Sequence, residues 1–146
     1  MYAIKTVPLE VIIPLRHKVL RTGRPISECT YQEDAVEGCF HVACFDGDKV
    51  IGIASFYPEP HSYEASDNVW RLRGMATDPD YRKQGVGARL LEEGLRFCSQ
   101  SGGEVIWCNA RVEAIPFYSK LNFVIKGDEF QLPGIGPHYF MSKTLV

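Results

Sequence analysis

Apolar positions in this chain fall into short blocks, alternating or continuous, set apart by Gly, Pro and polar turns. Residues 3–7 alternate enough for a first strand. Over residues 9–21, Leu9, Ile12, Ile13, Leu15, Val19 and Leu20 fall close to helical spacing, with Pro14 either opening that helix or kinking it. Residues 22–37 are polar and broken by Gly23 and Pro25, which predicts a loop with room for one helical turn. Residues 39–45 and 49–57 are apolar runs joined around Asp46-Gly47-Asp48, a hairpin signal. Residues 58–68 read as an exposed loop, and 69–77 as a strand. A helix follows the turn Asp78-Pro79-Asp80-Tyr81 and runs to about Ser101, where Gly102-Gly103 stops it. Leu90, Leu91, Gly94, Leu95 and Cys98 line one face of it; Arg89 with Glu93, and Glu92 with Arg96, are i,i+4 pairs on the other. Residues 104–109 predict a buried strand, 114–121 a short helix with Pro116 in its first turn, and Phe123 the start of another strand. Residues 128–137 read as a Gly/Pro-rich loop and 138–145 as a last strand.

Strands interleaved with helices imply an α/β class. With 146 residues and no internal repeat or linker, residues 1–146 are expected to form one domain. The net charge of −2 leaves no basic footprint for nucleic acid or an anionic membrane. No apolar run is long enough to span a bilayer, and the first residues do not form a signal peptide, so a cytoplasmic location is expected. The five cysteines, Cys29, Cys39, Cys44, Cys98 and Cys108, contain no C-x-x-C pair and read as reduced, mostly buried thiols. They have no metal-ligand spacing with histidine, and no metal is expected.

One stretch carries chemistry of its own. Arg82-Lys83-Gln84-Gly85-Val86-Gly87 lies between the 69–77 strand and the helix. Backbone N–H groups at a helix start lack intrahelical partners, and the macrodipole adds partial positive charge there. Gly85 and Gly87 have no Cβ to keep a phosphate from the backbone, and Arg82 and Lys83 add full charges. A dinucleotide fingerprint would need a third glycine where Leu90 stands, and a P-loop would need G-K-[ST], which is absent.

This R-x-x-G-x-G string, after a strand ending Met-Ala-Thr, resembles the acetyl-CoA-binding motif of the GNAT superfamily of N-acetyltransferases. The resemblance puts Met75, Ala76 and Thr77 on the pantetheine arm. It puts Arg82, Lys83, Gln84, Gly85, Val86, Gly87 and Ala88 on the pyrophosphate. Asn109-Ala110-Arg111 and Pro116-Phe117-Tyr118-Ser119-Lys120-Leu121-Asn122-Phe123 resemble the family's second block, with Asn122 where the family favours glycine. Asn tolerates the left-handed backbone, so this departure is mild. Leu15-Arg16 through Val19-Leu20 and Gly136-Pro137-His138-Tyr139-Phe140-Met141 are similar to a bacterial subgroup whose substrates are largely unassigned. The resemblance implies a mixed sheet of about six or seven strands, splayed in the middle, with helices on both faces. It implies transfer of an acetyl group from acetyl-CoA, by direct attack on the thioester, to a primary amine of a small molecule or peptide. A homodimer is left open by it, as is a CoA-binding sensor or interaction module that has lost catalysis.

Acetyl transfer needs a held donor, a deprotonated amine, an oxyanion donor and a proton for the thiolate. By resemblance, a backbone N–H near Met75 is the oxyanion donor and Tyr118 the acid for the thiolate; the alternative for Tyr118 is a core aromatic beside Phe117. Many relatives use a strand glutamate as base, but here Arg71 and Arg73 flank Leu72. His138, Glu28, Asp34 and His41 are the candidates; His138 begins the last strand, which in the family borders the acceptor cleft, and its alternative is a surface or core histidine with a structural hydrogen bond. Arg111 is expected either to reach a CoA phosphate or to cap the short helix.

Overall fold

The computed structural model describes residues 2–145. Its strands are β1 (Ala3–Val7), β2 (Phe40–Asp46), β3 (Lys49–Pro58), β4 (Val69–Thr77), β5 (Val105–Arg111), β6 (Val124–Leu132) and β7 (Gly136–Thr144). Its helices are α1 (Leu9–Leu20), α2 (Val86–Gln100) and α3 (Ile115–Lys120). The seven strands form one sheet in the order β1-β2-β3-β4-β5-β7-β6. Neighbours run antiparallel except β4 and β5, which are parallel and joined through α2, since a parallel pair needs a long crossover. The mixed α/β sheet with helices on both faces agrees with the expectation.

Each face has its own packing. On one, Leu90, Leu91, Leu95 and Cys98 of α2 bury against Val42, Phe56, Leu72 and Ile106. Small residues set how close α2 lies: a Cβ at Gly94 would fall 1.9 Å from the Phe56 ring, and one at Gly52 2.6 Å from Val86. On the other, Ile12 and Leu15 of α1 pack on Ala43, Ile53 and Ala76. Helix α1 reaches only as far as β4. Beyond it, Trp107, Phe140 and Val69 form a separate cluster. The loop between β3 and β4 roofs this cluster, with the His61 ring 4.3 Å from Phe140 and 4.7 Å from Trp107.

Four local expectations change. Helix α1 starts at Leu9 with Pro8 as its cap, so Pro14 lies inside it. Pro14 is on the exposed face, where water can satisfy the carbonyl it leaves unpaired. Strand β6 runs on to Leu132 and β7 begins at Gly136, so most of the expected 128–137 loop is strand. Strand β6 is an edge strand exposed along nearly its whole length, so it needs no apolar alternation. The 58–68 segment is not merely exposed, since His61 packs inward. On α2, Arg96 pairs with Glu93 rather than Glu92, and Arg89 reaches the Tyr2 carbonyl.

Candidate active site

The parallel ladder between β4 and β5 covers only Val69 to Arg71 against Val105 to Trp107. The next pair in the series would be Leu72 with Cys108, and it does not form. Strand β5 stays paired with β7 as far as Arg111, and β4 stays paired with β3 as far as Thr77. The two strands therefore part, and backbone groups on the facing edge of β4 beyond Arg71 have no strand partner. A bulge contributes: Ile53 and Ser55 of β3 face Ala76 and Arg73, so β4 carries an extra residue there. Gly74 adopts φ +65° in the bulge, a conformation that favours glycine.

The far end of β4 leads into the turn. Asp78 is buried, accepts from the Asp80 N–H at 2.9 Å and from Lys18 Nζ at 3.0 Å, and so fixes where the turn leaves the sheet. Arg82, Lys83, Gln84 and Gly85 are all exposed. Lys83 and Gly85 have φ of +65° and +80°. Gly85 caps α2 without a side-chain bond, and the first carbonyl accepting within the helix is that of Gly85, from Arg89. The N–H groups of Val86, Gly87 and Ala88 thus precede the first helical hydrogen bond. A Cβ at Gly85 would meet nothing within 4 Å. Gly87 differs: a Cβ there would lie 3.4 Å from the Phe117 ring and 3.7 Å from Met75 Cε. Gly87 is therefore a packing position as well as part of the turn. Among the described residues, Arg82 and Lys83 make no ion pair.

The Tyr118 hydroxyl lies 4.0 Å from Sδ of Met75, the residue whose Cε lies beside Gly87. Its ring packs between Phe117 and Phe123. Burial pushes the phenol well above its usual range, so it holds its proton. Burial likewise pushes the Cys98 and Cys108 thiols up to about 12, which leaves them unreactive.

His138 and Arg111 are elsewhere. They are cross-strand partners on β7 and β5, and His138 in turn faces Phe130 of β6. Residues Ile106, Cys108 and Ala110 of β5 pack into the core under α2. Trp107, Asn109 and Arg111 alternate onto the opposite face, with His138 beside them. His138 is 4% exposed. Its Nδ1 lies 2.8 Å from the Gly136 carbonyl, which only accepts, so Nδ1 carries hydrogen and a neutral ring leaves Nε2 with its lone pair. The expected site residues thus divide: the motif and Tyr118 meet at the parting of the strands, while His138 and Arg111 meet on the α1 side of the sheet.

The other candidate bases are engaged. Asp34 bonds Arg16 at 2.8 Å, accepts from the Tyr57 hydroxyl at 2.5 Å and from the Tyr31 N–H at 2.7 Å. Burial alone would raise its carboxyl, but the hydrogen bonds from Arg16, Tyr57 and Tyr31 outweigh that and hold it below the usual range. His41 is buried, with Nδ1 2.7 Å from Ser55 Oγ. Burial lowers its pKa, only partly offset by the nearby Asp34 carboxylate. Glu28 pairs with Arg24 at the surface.

At the centre of this network is Arg16, wholly buried. It also donates to the Cys29 carbonyl and to Ser55 Oγ, and its guanidinium lies 3.8 Å from the Tyr31 ring centre. The Gly74 bulge fits against it, for a Cβ there would lie 3.4 Å from Arg16 Nε and from the Tyr31 ring. Reading the sequence by residue type missed its role. The signal was a cation on the apolar stripe of α1, four residues after Ile12 and next to Leu15.

Comparison with known proteins fits this arrangement. Residues 10–123 match the model of the Acetyltransferase (GNAT) family. The uncharacterized N-acetyltransferase YitI of Bacillus subtilis (strain 168) is 39% identical over 145 residues, covering 99% of this chain and 97% of the relative. A proposed N-acetyltransferase of Lactobacillus plantarum superposes with TM-score 0.81 at 20% identity, covering 99% of each chain. An aminoglycoside 6'-N-acetyltransferase solved with coenzyme A superposes with TM-score 0.79 at 17% identity, over 99% of this chain and 97% of that one.

Proposed function

The chain belongs to the Acetyltransferase (GNAT) family and is an acetyl-CoA-dependent N-acetyltransferase, and from that premise we propose how its residues divide the work. Acetyl-CoA supplies an acetyl group activated as a thioester. The residues present fit that group. The α2 start offers open N–H groups at Val86, Gly87 and Ala88, empty space over Gly85, and the charges of Arg82 and Lys83 for the pyrophosphate. The unpaired edge of β4 through Met75, Ala76 and Thr77 offers backbone donors and acceptors to the amide-bearing pantetheine arm. An N–H near Met75 stabilises the developing oxyanion. Tyr118, protonated and beside Met75, donates to the departing thiolate.

The acceptor is a primary amine of a small molecule or peptide, entering from the α1 side. His138 Nε2 takes its proton, directly or through water. The engagement of Asp34 and His41 in the Arg16 network supports that choice. We place the enzyme in the cytoplasm as a single catalytic domain, consistent with five free cysteines and with the absence, among the described residues, of any helix able to cross a membrane.

The observation that carries this reading is the meeting at Met75 of the parted β4, the start of α2 and the Tyr118 hydroxyl. Release of free thiol from acetyl-CoA in the presence of a broad amine panel tests it. Turnover of at least one amine is expected; stabilisation by CoA with no turnover of any amine would make the protein a sensor. His138→Gln is expected to lower kcat/KM while CoA affinity holds. An unchanged kcat/KM would return the base to water.

A further inference from the structure

We propose that the acceptor amine carries an anionic group, a carboxylate or a phosphate, and that Arg111 binds it. The inference rests on the catalytic reading above and adds the chemical class of the acceptor. On the α1 side of the parted strands, the cations of β4 already have acidic partners. Arg71 bonds Glu59 at 3.1 Å, and Arg73 is paired with Glu33 of the loop after α1. Among the described residues, Arg111 has no ion-pair or hydrogen-bond partner for its side chain, and it is exposed. Of the arginines that β4 and β5 present on this face, Arg111 is thus the one without an acidic partner among the described residues.

Its position is set by strand register. Arg111 is locked opposite the buried His138, on the face away from α2. That face is the wrong side for the turn that begins α2, so the expected contact with a CoA phosphate is replaced by one with the acceptor. Asn109 lies two residues back along β5, about 7 Å away at strand rise. It is half-buried, has no side-chain hydrogen bond among the described residues, and stands where the β4 ladder has ended. Beside the parted strands, β5 therefore presents two side chains, Asn109 and Arg111, whose donors have no partner among the described residues. A guanidinium takes a carboxylate or phosphate through paired N–H bonds, which orients the ligand as well as holding it. With the anion on Arg111, the amine end of the acceptor extends toward His138 and the parted strands.

The test uses matched amines at constant acetyl-CoA: amino acids against their amides, and amino-sugar phosphates against the unphosphorylated sugars. Thiol release gives kcat/KM, and melting in the presence of CoA gives binding. The anionic member of at least one pair is expected to be favoured roughly 10- to 100-fold. The pair that responds tells carboxylate from phosphate. Arg111→Gln is expected to collapse that ratio toward one while the melting shift from CoA alone is unchanged, whereas Arg111→Lys restores part of it. Equal rates within every pair, a preference for the uncharged members, or neither turnover nor a melting shift from any anionic member overturns the inference. So does an Arg111→Gln variant that loses CoA binding, which would return Arg111 to the cofactor. Loss of CoA response in the unaltered protein would instead overturn the catalytic reading.

Discussion

Two regions of this molecule gather polar groups on either side of β4, and they treat them in opposite ways. Beneath the bulge, Arg16, Asp34, Tyr57, Ser55 and His41 are buried and bonded to one another. At the start of α2, Arg82, Lys83 and the first N–H groups of the helix are open and bonded to nothing in the described chain. A buried network is tolerated when it is close to saturated, because an unpaired charge in low dielectric is costly. Here Arg16 Nε is buried without a hydrogen-bond partner among the described residues, while both terminal nitrogens of its guanidinium are bonded. A ligand site needs the reverse: donors already oriented and not yet used. The closed network tethers the loop after α1 to β3 through Asp34 and fits against Gly74, so it holds the bend that opens β4 from β5.

The largest effect expected from breaking the comparison is on the closed side. Arg16→Met leaves the Asp34 carboxylate buried without its cation and is predicted to cost about 3–5 kcal/mol of folding stability. Urea unfolding would measure it. Adding Asp34→Leu is predicted to recover part of the loss, since the stranded charge goes with it. A single variant as stable as the parent would mean that the Arg16–Asp34 pair does not hold the network together.

On the open side, Tyr118→Phe keeps the ring between Phe117 and Phe123 and removes one hydroxyl whose nearest partner is a sulfur at 4.0 Å. Stability and CoA affinity are predicted to hold, while kcat falls roughly ten- to a thousand-fold with little change in KM. A Phe variant with full kcat would make Tyr118 a packing residue.

The same contrast explains what could be read in advance. The open site is local: strand, turn and helix start are consecutive, and 69–77 is bounded in the sequence as it is in the structure. The closed network is not. Arg16 meets Asp34, Ser55 and Tyr57 across separations of 18, 39 and 41 residues, and no periodicity links them. The start of strand β6 was legible, but its continuation to Leu132 escaped for another reason: with both faces wet over much of its length, it has no pattern to show. Arg111 was visible as a residue, but its face was decided by pairing with His138.

A smaller effect comes from acid. The folded pKa of His41 is depressed, so its contribution is complete above its unfolded pKa of about 6.5 and is lost as pH falls toward the folded value. Asp34 is depressed as well, so its contribution persists to lower pH and is lost only below about 3.9. Stability is therefore predicted to decline first below about pH 6.5, by at most about 1.4 kcal/mol per pH unit for that one proton, and again in strong acid. His41→Gln should reduce the first decline and leave the share of His61, whose pKa burial also lowers. A midpoint of urea unfolding that is flat from pH 8 to 5 in the parent would contradict the assignment.

The central claim, that the open start of α2 holds the CoA pyrophosphate, is most directly tested at Gly85. Gly87 is the less clean position because a side chain there meets Phe117. Gly85 is the helix cap, has φ +80°, and faces open space. Asp and Asn both tolerate that backbone and both cap helices, so neither should unfold the protein. Calorimetric titration of CoA into Gly85→Asp, Gly85→Asn and the parent is the measurement. With melting temperatures nearly unchanged, CoA affinity is predicted to fall at least about 100-fold in Gly85→Asp, where a carboxylate meets the phosphates, and distinctly less in the uncharged Gly85→Asn. Parent-like affinity in Gly85→Asp would contradict the account.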